Sequence, residues 1–145
     1  MRKSLFNGIV ALISLVFFLQ TQLLFAAKPL APEKIEGVTI VSAAETIELI
    51  LKQPELVLID SRYHAEYSKG HIEGAVNIFN SDMTVADLQQ LTENTATPLL
   101  FYCNGTRCLR SGDAASQAVK WGYKHVYWFR LGWLDWLDKQ YPVEY

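Results

Sequence analysis

Basic charge is scarce in this sequence. Thirteen Lys and Arg stand against fifteen Asp and Glu, and they are scattered. No basic stripe exists to neutralise a run of phosphates, so a nucleic-acid partner is not expected. His64, His71 and His125 are the only three histidines, and none has a second ligand at metal-binding spacing, so no metal and no cofactor is expected. Internal repeats and low-complexity tracts are missing too. With 145 residues the chain is long enough for one ordinary domain and too short for two comfortable ones. Long apolar runs are confined to the start, where Arg2 and Lys3 precede an almost wholly apolar stretch over residues 5–19 and small residues follow at Ala26 and Ala27. That order predicts a secretory signal peptide over residues 1–27, with an uncleaved N-terminal membrane anchor as the alternative. Either way the expected location is periplasmic or otherwise exported. Without the leader, 11 basic residues remain against 15 acidic ones, a net charge of −4.

What remains alternates between short apolar runs and amphipathic segments. Residues 28–37, with Pro29 and Pro32, read as a linker. Residues 38–41 are β-branched and predict a strand. Ser42 and Glu45 stand at capping-box spacing and open a helix through about Lys52. Residues 56–59 form a continuous apolar run, as in a strand covered on both faces of a parallel sheet. Residues 61–70 read as loop or brief helix, and two glycines, Gly70 and Gly74, bracket a bend before a short strand ending at Ile78. Val85, Leu88 and Leu91 recur at helical spacing behind Thr84, a candidate cap. Residues 99–102 predict a central strand. Ala114, Ala115, Ala118 and Val119 predict a helix lying close to a sheet, with Gly122 as its C-terminal cap. Residues 126–129 predict a last strand. From Gly132 a final helix should place Trp133, Trp136 and Leu137 on one face and end at Pro142. The pattern is that of an α/β domain over residues 38–145 with a parallel sheet.

Two cysteines, Cys103 and Cys108, are present. Cys103 follows the central apolar run and precedes a polar loop of Asn104, Gly105, Thr106, Arg107, Cys108 and Leu109, before Arg110 and Ser111 lead into the alanine-rich helix. Such a loop delivers a thiol to its mouth, among backbone N–H groups and guanidinium groups that favour a thiolate and an anionic substrate. Cys103 is therefore the candidate nucleophile. Arg107 and Arg110 are candidates to contact an oxyanion, Arg107 first because it lies inside the loop. Gly105 should serve a backbone angle that other residues avoid. Cys108 has three open readings: a resolving thiol that bridges to Cys103, a relay for sulfur, or a packed residue. Asp60 and Arg62 should tie down a loop by charge-assisted bonds. His71 is read as a structural hydrogen-bond partner in the bend.

Taken together, Asp60-Ser61-Arg62, Glu66-Tyr67, Gly70-His71-Ile72-Glu73-Gly74-Ala75-Val76-Asn77, the loop after Cys103 and the closing Gly132-Trp133-Leu134-Asp135-Trp136 resemble the landmarks of the rhodanese family, in order. The resemblance implies a rhodanese-like α/β fold, a five-stranded, mostly parallel sheet with helices on both faces. It also implies a sulfurtransferase, in which the Cys103 thiolate takes sulfane sulfur from thiosulfate or a related small anion. The persulfide then passes it to cyanide or a thiol. Asn104, Gly105, Thr106, Arg107, Cys108 and Arg110 would form the substrate cradle; under the bridging reading left open above, Cys108 is a redox partner of Cys103 and a thiol reductant a further partner. The loop departs from the commoner family pattern of glycine three and arginine five places after the cysteine: here Gly105 is two places on and Arg107 four. Rival readings are a phosphatase or arsenate reductase on the same fold, a thiol–disulfide redox protein using Cys103 and Cys108, and a sulfur-carrier binding module without turnover.

Overall fold

The computed structural model describes residues 29–145; the leader expected over residues 1–27 lies outside the described residues. The short apolar runs become strands: β1 (Val38–Ile40), β2 (Val57–Asp60), β3 (His71–Ile72), β4 (Val76–Asn77), β5 (Leu99–Tyr102), β6 (Val126–Phe129) and β7 (Val143–Glu144). The amphipathic segments become helices: α1 (Ala43–Lys52), α2 (His64–Tyr67), α3 (Val85–Leu91), α4 (Arg110–Lys120) and α5 (Gly132–Asp138). Five strands form one sheet in the order β1-β6-β5-β2-β4, and all four pairings are parallel. The expected mostly parallel five-stranded sheet is present, with β5 at its centre.

Period-2 alternation splits the core in two. Leu99 and Phe101 of β5 pack with Ile59, Trp128, Leu88 and the α4 alanines. Leu100 and Tyr102 face the other way, among Leu58, Ile72, Phe129 and Trp136. Small residues let α4 approach closely: a methyl group on Gly112 would lie 3.1 Å from the Trp128 ring, whose Nε1–H donates to Ser111 Oγ at 2.9 Å. Two capping boxes start helices as expected. Glu45 accepts the Ser42 N–H at 2.7 Å while Ser42 accepts that of Glu45, and Thr84 and Asp87 repeat the exchange ahead of α3.

Three expectations are corrected. The segment read as a linker is anchored to the domain at two points while most of it stays exposed: Ala31 is a core residue with Ile35 packed against the same cluster, and Arg130 donates to the carbonyls of Ala31 and Pro32, each at 2.8 Å. The last helix ends at Asp138, not at Pro142, because Gln140 turns into the left-handed region at φ 56°. Leu137 is exposed instead of sharing the face on which Trp133 and Trp136 meet the core. A second, antiparallel sheet of β3 and β7 closes the C-terminal end against the bend at Gly70.

At the carboxyl end of β2 lies a fully buried ion pair. Arg62 donates through Nε and Nη2 to the Asp60 carboxylate at 2.9 and 2.6 Å, and Nη2 also donates to the Gly70 carbonyl at 2.8 Å. Its guanidinium carbon sits 4.5 Å from the Trp133 ring centroid. Next to it, burial and the Asp60 charge push the Tyr102 hydroxyl far above its ordinary pKa, so it stays neutral and accepts the Ile72 N–H at 3.1 Å. Asp60 and Arg62 thus do what their spacing suggests. Removing one charge strands the other in a dry site, which costs about 3–5 kcal/mol. Arg62→Met should therefore destabilise the chain by about that amount in urea denaturation, and the double variant Asp60→Leu with Arg62→Met by distinctly less.

Candidate active site

β5 is buried to its end on both faces, and the chain emerges from the sheet only after Cys103. The next four peptides are arranged by what their carbonyls do. Cys103 O accepts the Trp133 N–H at 2.8 Å and Asn104 O that of Leu134 at 3.1 Å, both from the first turn of α5. Gly105 O accepts the Cys108 N–H at 2.9 Å, and Thr106 O that of Ala31 at 2.7 Å. No peptide bond among the described residues is cis, and a trans peptide points its N–H opposite to its C=O. The N–H groups of Asn104, Gly105, Thr106 and Arg107 are therefore turned away from these partners. Among the described residues, none of the four donates to a backbone carbonyl. The same residues line a cavity of about 680 Å³. A run of unengaged amides around a concavity attracts anions.

Gly132 makes this arrangement feasible. It lies in the left-handed region at φ 61°, and a Cβ there would collide with the Cys103 carbonyl. Only glycine lets α5 begin against the loop. Gly105 is likewise strained for other residues, at φ 155° with the Leu131 carbonyl 3.2 Å from where a Cβ would stand.

The two sulfurs are joined, and the bridge decides which of them the loop presents. Cys103 is 1% exposed and forms a disulfide with Cys108, across a Cα separation of 6.3 Å. The mouth of the loop therefore presents the Cys108 sulfur, and Cys103 lies beneath it. The reason is that the sheet remains covered to the end of β5, so a residue directly after it is still inside. Of the three readings open for Cys108, the bridge is the one found.

Arg110 is the arginine at the sulfurs. Its Nε donates to Cys108 Sγ at 3.2 Å, its guanidinium stacks 4.5 Å from the Tyr63 ring centroid, and its Nη2 reaches Glu66 Oε2 at 3.4 Å. Arg107, expected to lie nearer the substrate, is exposed at the cavity rim. Glu66 also accepts from Asn104 Nδ2 at 2.6 Å. Burial alone would raise its pKa, but the bonds from Asn104 and the Tyr63 N–H, with the charges of Arg110 and Arg62, bring it below the ordinary value. Tyr63, Glu66 and Leu134 are lining residues that sequence reasoning did not assign. Glu66 stands three places after Tyr63, the spacing of a helix-start carboxylate, which was the available signal. His71 donates to or accepts from no loop residue; it stacks on Tyr67 with ring centroids 3.7 Å apart and pairs with the Tyr67 carbonyl at 3.1 Å. No metal-binding cluster occurs among the described residues.

Two measurements probe this geometry. Gly132→Ala should lower unfolding stability by about 1–3 kcal/mol, the range for forcing an atom into a packed site, measured by denaturant titration. Glu66 has a lowered folded-state pKa, so its contribution is fully present above the ordinary value of 4.5 and is lost as pH falls through the lowered one. The stability difference between the natural chain and Glu66→Gln should thus be largest above pH 4.5 and shrink below it.

With the site described, comparison with known proteins is informative. A rhodanese-like domain model matches residues 42–139. The protein YibN of Escherichia coli K12 is 24% identical over 107 residues, covering 73% of this chain and 72% of that one. The tRNA uridine(34) hydroxylase of Photorhabdus laumondii is 27% identical over 100 residues, 66% of this chain but only 28% of that protein, so the shared part is one portion of a longer molecule. Among solved structures, the human single-domain sulfurtransferase TSTD1 is 28% identical with a TM-score of 0.55, covering 69% of this chain and 96% of that one. The thiosulfate sulfurtransferase of Pseudomonas aeruginosa shares the fold at a TM-score of 0.61 and 20% identity, over 74% of this chain and 20% of that one. The strand order, the loop after the central strand and the match over residues 42–139 agree: this chain belongs to the rhodanese-like domain family.

Proposed function

We propose that the chain is a sulfurtransferase that takes sulfane sulfur from thiosulfate or a related small anion as a persulfide on Cys103. The observation that carries this reading is the set of four unengaged amides, Asn104 to Arg107, beside a cysteine at the end of the central strand. Once the bridge to Cys108 is reduced, the Cys103 thiolate attacks the outer sulfur of thiosulfate. The donor's S–S bond breaks and sulfite leaves with the electron pair. The terminal persulfide sulfur is anionic and is held by the amides, which supply charge stabilisation without a histidine base. Cyanide or a thiol then attacks that sulfur, and the Cys103 thiolate departs. Arg107, exposed at the rim, steers the anion, and Arg110 stays beside the sulfurs.

The human single-domain sulfurtransferase supports the reading as a relative of similar size. The order of basic, apolar and small residues in the leader, together with the disulfide, supports an exported location in an oxidising compartment.

The first half-reaction tests the proposal directly. Reduced protein mixed with thiosulfate should release sulfite, and Cys103→Ser should release none. Sulfite release by Cys103→Ser at the natural rate would move the nucleophile to Cys108. Hydrolysis of an aryl phosphate in place of sulfite release would favour a phosphatase built on the same fold.

A further inference from the structure

We propose that the sulfur acceptor is built into the site. Resting on the Cys103 persulfide above, the inference is that Cys108 resolves it, releasing sulfide and closing the Cys103–Cys108 disulfide. The chain would then be a dithiol-dependent reductase of sulfane sulfur, with sulfite and sulfide as products.

Three observations carry this. The disulfide shows that Cys108 Sγ reaches Cys103 Sγ within this fold. The turn from Gly105 O to the Cys108 N–H at 2.9 Å folds the loop back, so that Cys108 lies over Cys103. Arg110 Nε, 3.2 Å from Cys108 Sγ, favours negative charge on that sulfur once it is reduced, and Arg110 is itself held by Glu66 and the Tyr63 ring. In the bridged state Cys103 is 1% exposed, and Cys108 is the residue that covers its sulfur. Cys108 is already there, and an intramolecular nucleophile has an effective concentration no free thiol attains.

The chemistry balances as follows. The Cys108 thiolate forms a bond to Cys103 Sγ, and the bond from Cys103 Sγ to the terminal sulfur breaks. The electron pair leaves on that sulfur as hydrosulfide, which takes up the proton Cys108 gave up. Two thiols are oxidised to the disulfide, and the sulfane sulfur is reduced to sulfide. A dithiol reductant then attacks the bridge at Cys108, the sulfur that lines the cavity. Cys103 is expelled as thiolate among the free amides, and the reductant ends as its own disulfide. Overall, thiosulfate and a dithiol give sulfite, hydrogen sulfide and a disulfide.

A single-turnover experiment on the reduced, desalted full chain tests this, with thiosulfate in excess and no other thiol present. The natural chain should release sulfite and sulfide in equal amounts, stop, and show the intact mass of the disulfide form; dithiothreitol should restart it. Cys108→Ser should release sulfite, keep one added sulfur atom and release no sulfide. Cys108→Ala gives the same readout should the serine variant misfold, and the natural chain is decisive without either. A natural chain that retains the added sulfur and releases no sulfide overturns the resolving role and leaves the persulfide standing. Sulfide release by the Cys108 variants at the natural rate also overturns it. A natural chain that releases no sulfite overturns the persulfide reading and this one with it.

Discussion

The first turn of α5 takes the carbonyls of Cys103 and Asn104 as its acceptors, and this choice orients the peptides around the sulfurs. A helix begins with N–H groups that have no partner within the helix. Here two of them, from Trp133 and Leu134, find their partners in the neighbouring loop. Because each peptide is a rigid trans unit, engaging one end fixes the direction of the other. The chain ahead of β1 completes the pattern, since Ala31 takes the carbonyl of Thr106. An anion-attracting row of amides thus follows from hydrogen bonds made elsewhere, with no charged side chain needed to create it. Gly132 is the residue on which this depends, since a side chain there would push α5 off the loop.

The same helix is secured from below. Trp133 covers the Arg62 guanidinium, Arg62 holds the Asp60 carboxylate and the Gly70 carbonyl, and Trp136 fills the core and donates to the Pro142 carbonyl at 2.8 Å. The buried ion pair is weak evidence for stability in itself, because desolvation offsets much of its attraction. Its value lies in geometry. It joins the carboxyl end of β2, the Gly70 bend and α5, so the helix that orders the loop is held to the sheet.

Most of the sheet was legible because its strands are short, apolar and punctuated, and two helix starts were legible because capping boxes are local in sequence. β5 was recognisable as central from its unbroken apolar run. The position of Cys103 was recognisable, but its exposure was not: whether a strand's last residue is covered depends on neighbours far along the chain. The anchoring of Ala31 and Ile35 is not legible for the same reason. Pro29 and Pro32 signal irregular backbone, and irregular backbone is not the same as a free tether. Arg107 and Arg110 could not be ranked from spacing, because Arg110 is positioned by Tyr63 and Glu66, more than forty residues earlier. β7 was invisible, since a two-residue pairing carries no periodicity.

The bridge bears on the choice among the chemistries this fold can host. In the bridged state Cys108 lines the cavity and Cys103, 1% exposed, does not, so the bridge must open before any group reaches Cys103. A tetrahedral phosphate or arsenate presents its central atom behind a shell of oxygens, and in-line attack needs that whole shell seated against the nucleophile. Thiosulfate presents a bare terminal sulfur ahead of its oxygens. That one atom is all the attacking sulfur has to meet, and the oxyanion end needs no place against the nucleophile. A nucleophile at the end of a covered strand asks less room of thiosulfate than of a phosphate or arsenate, which supports the sulfur transfer proposed above. That position also explains why a second thiol is useful here. An external acceptor has to enter the site, and a neighbour five residues away, held by Arg110 and the Gly105 turn, does not.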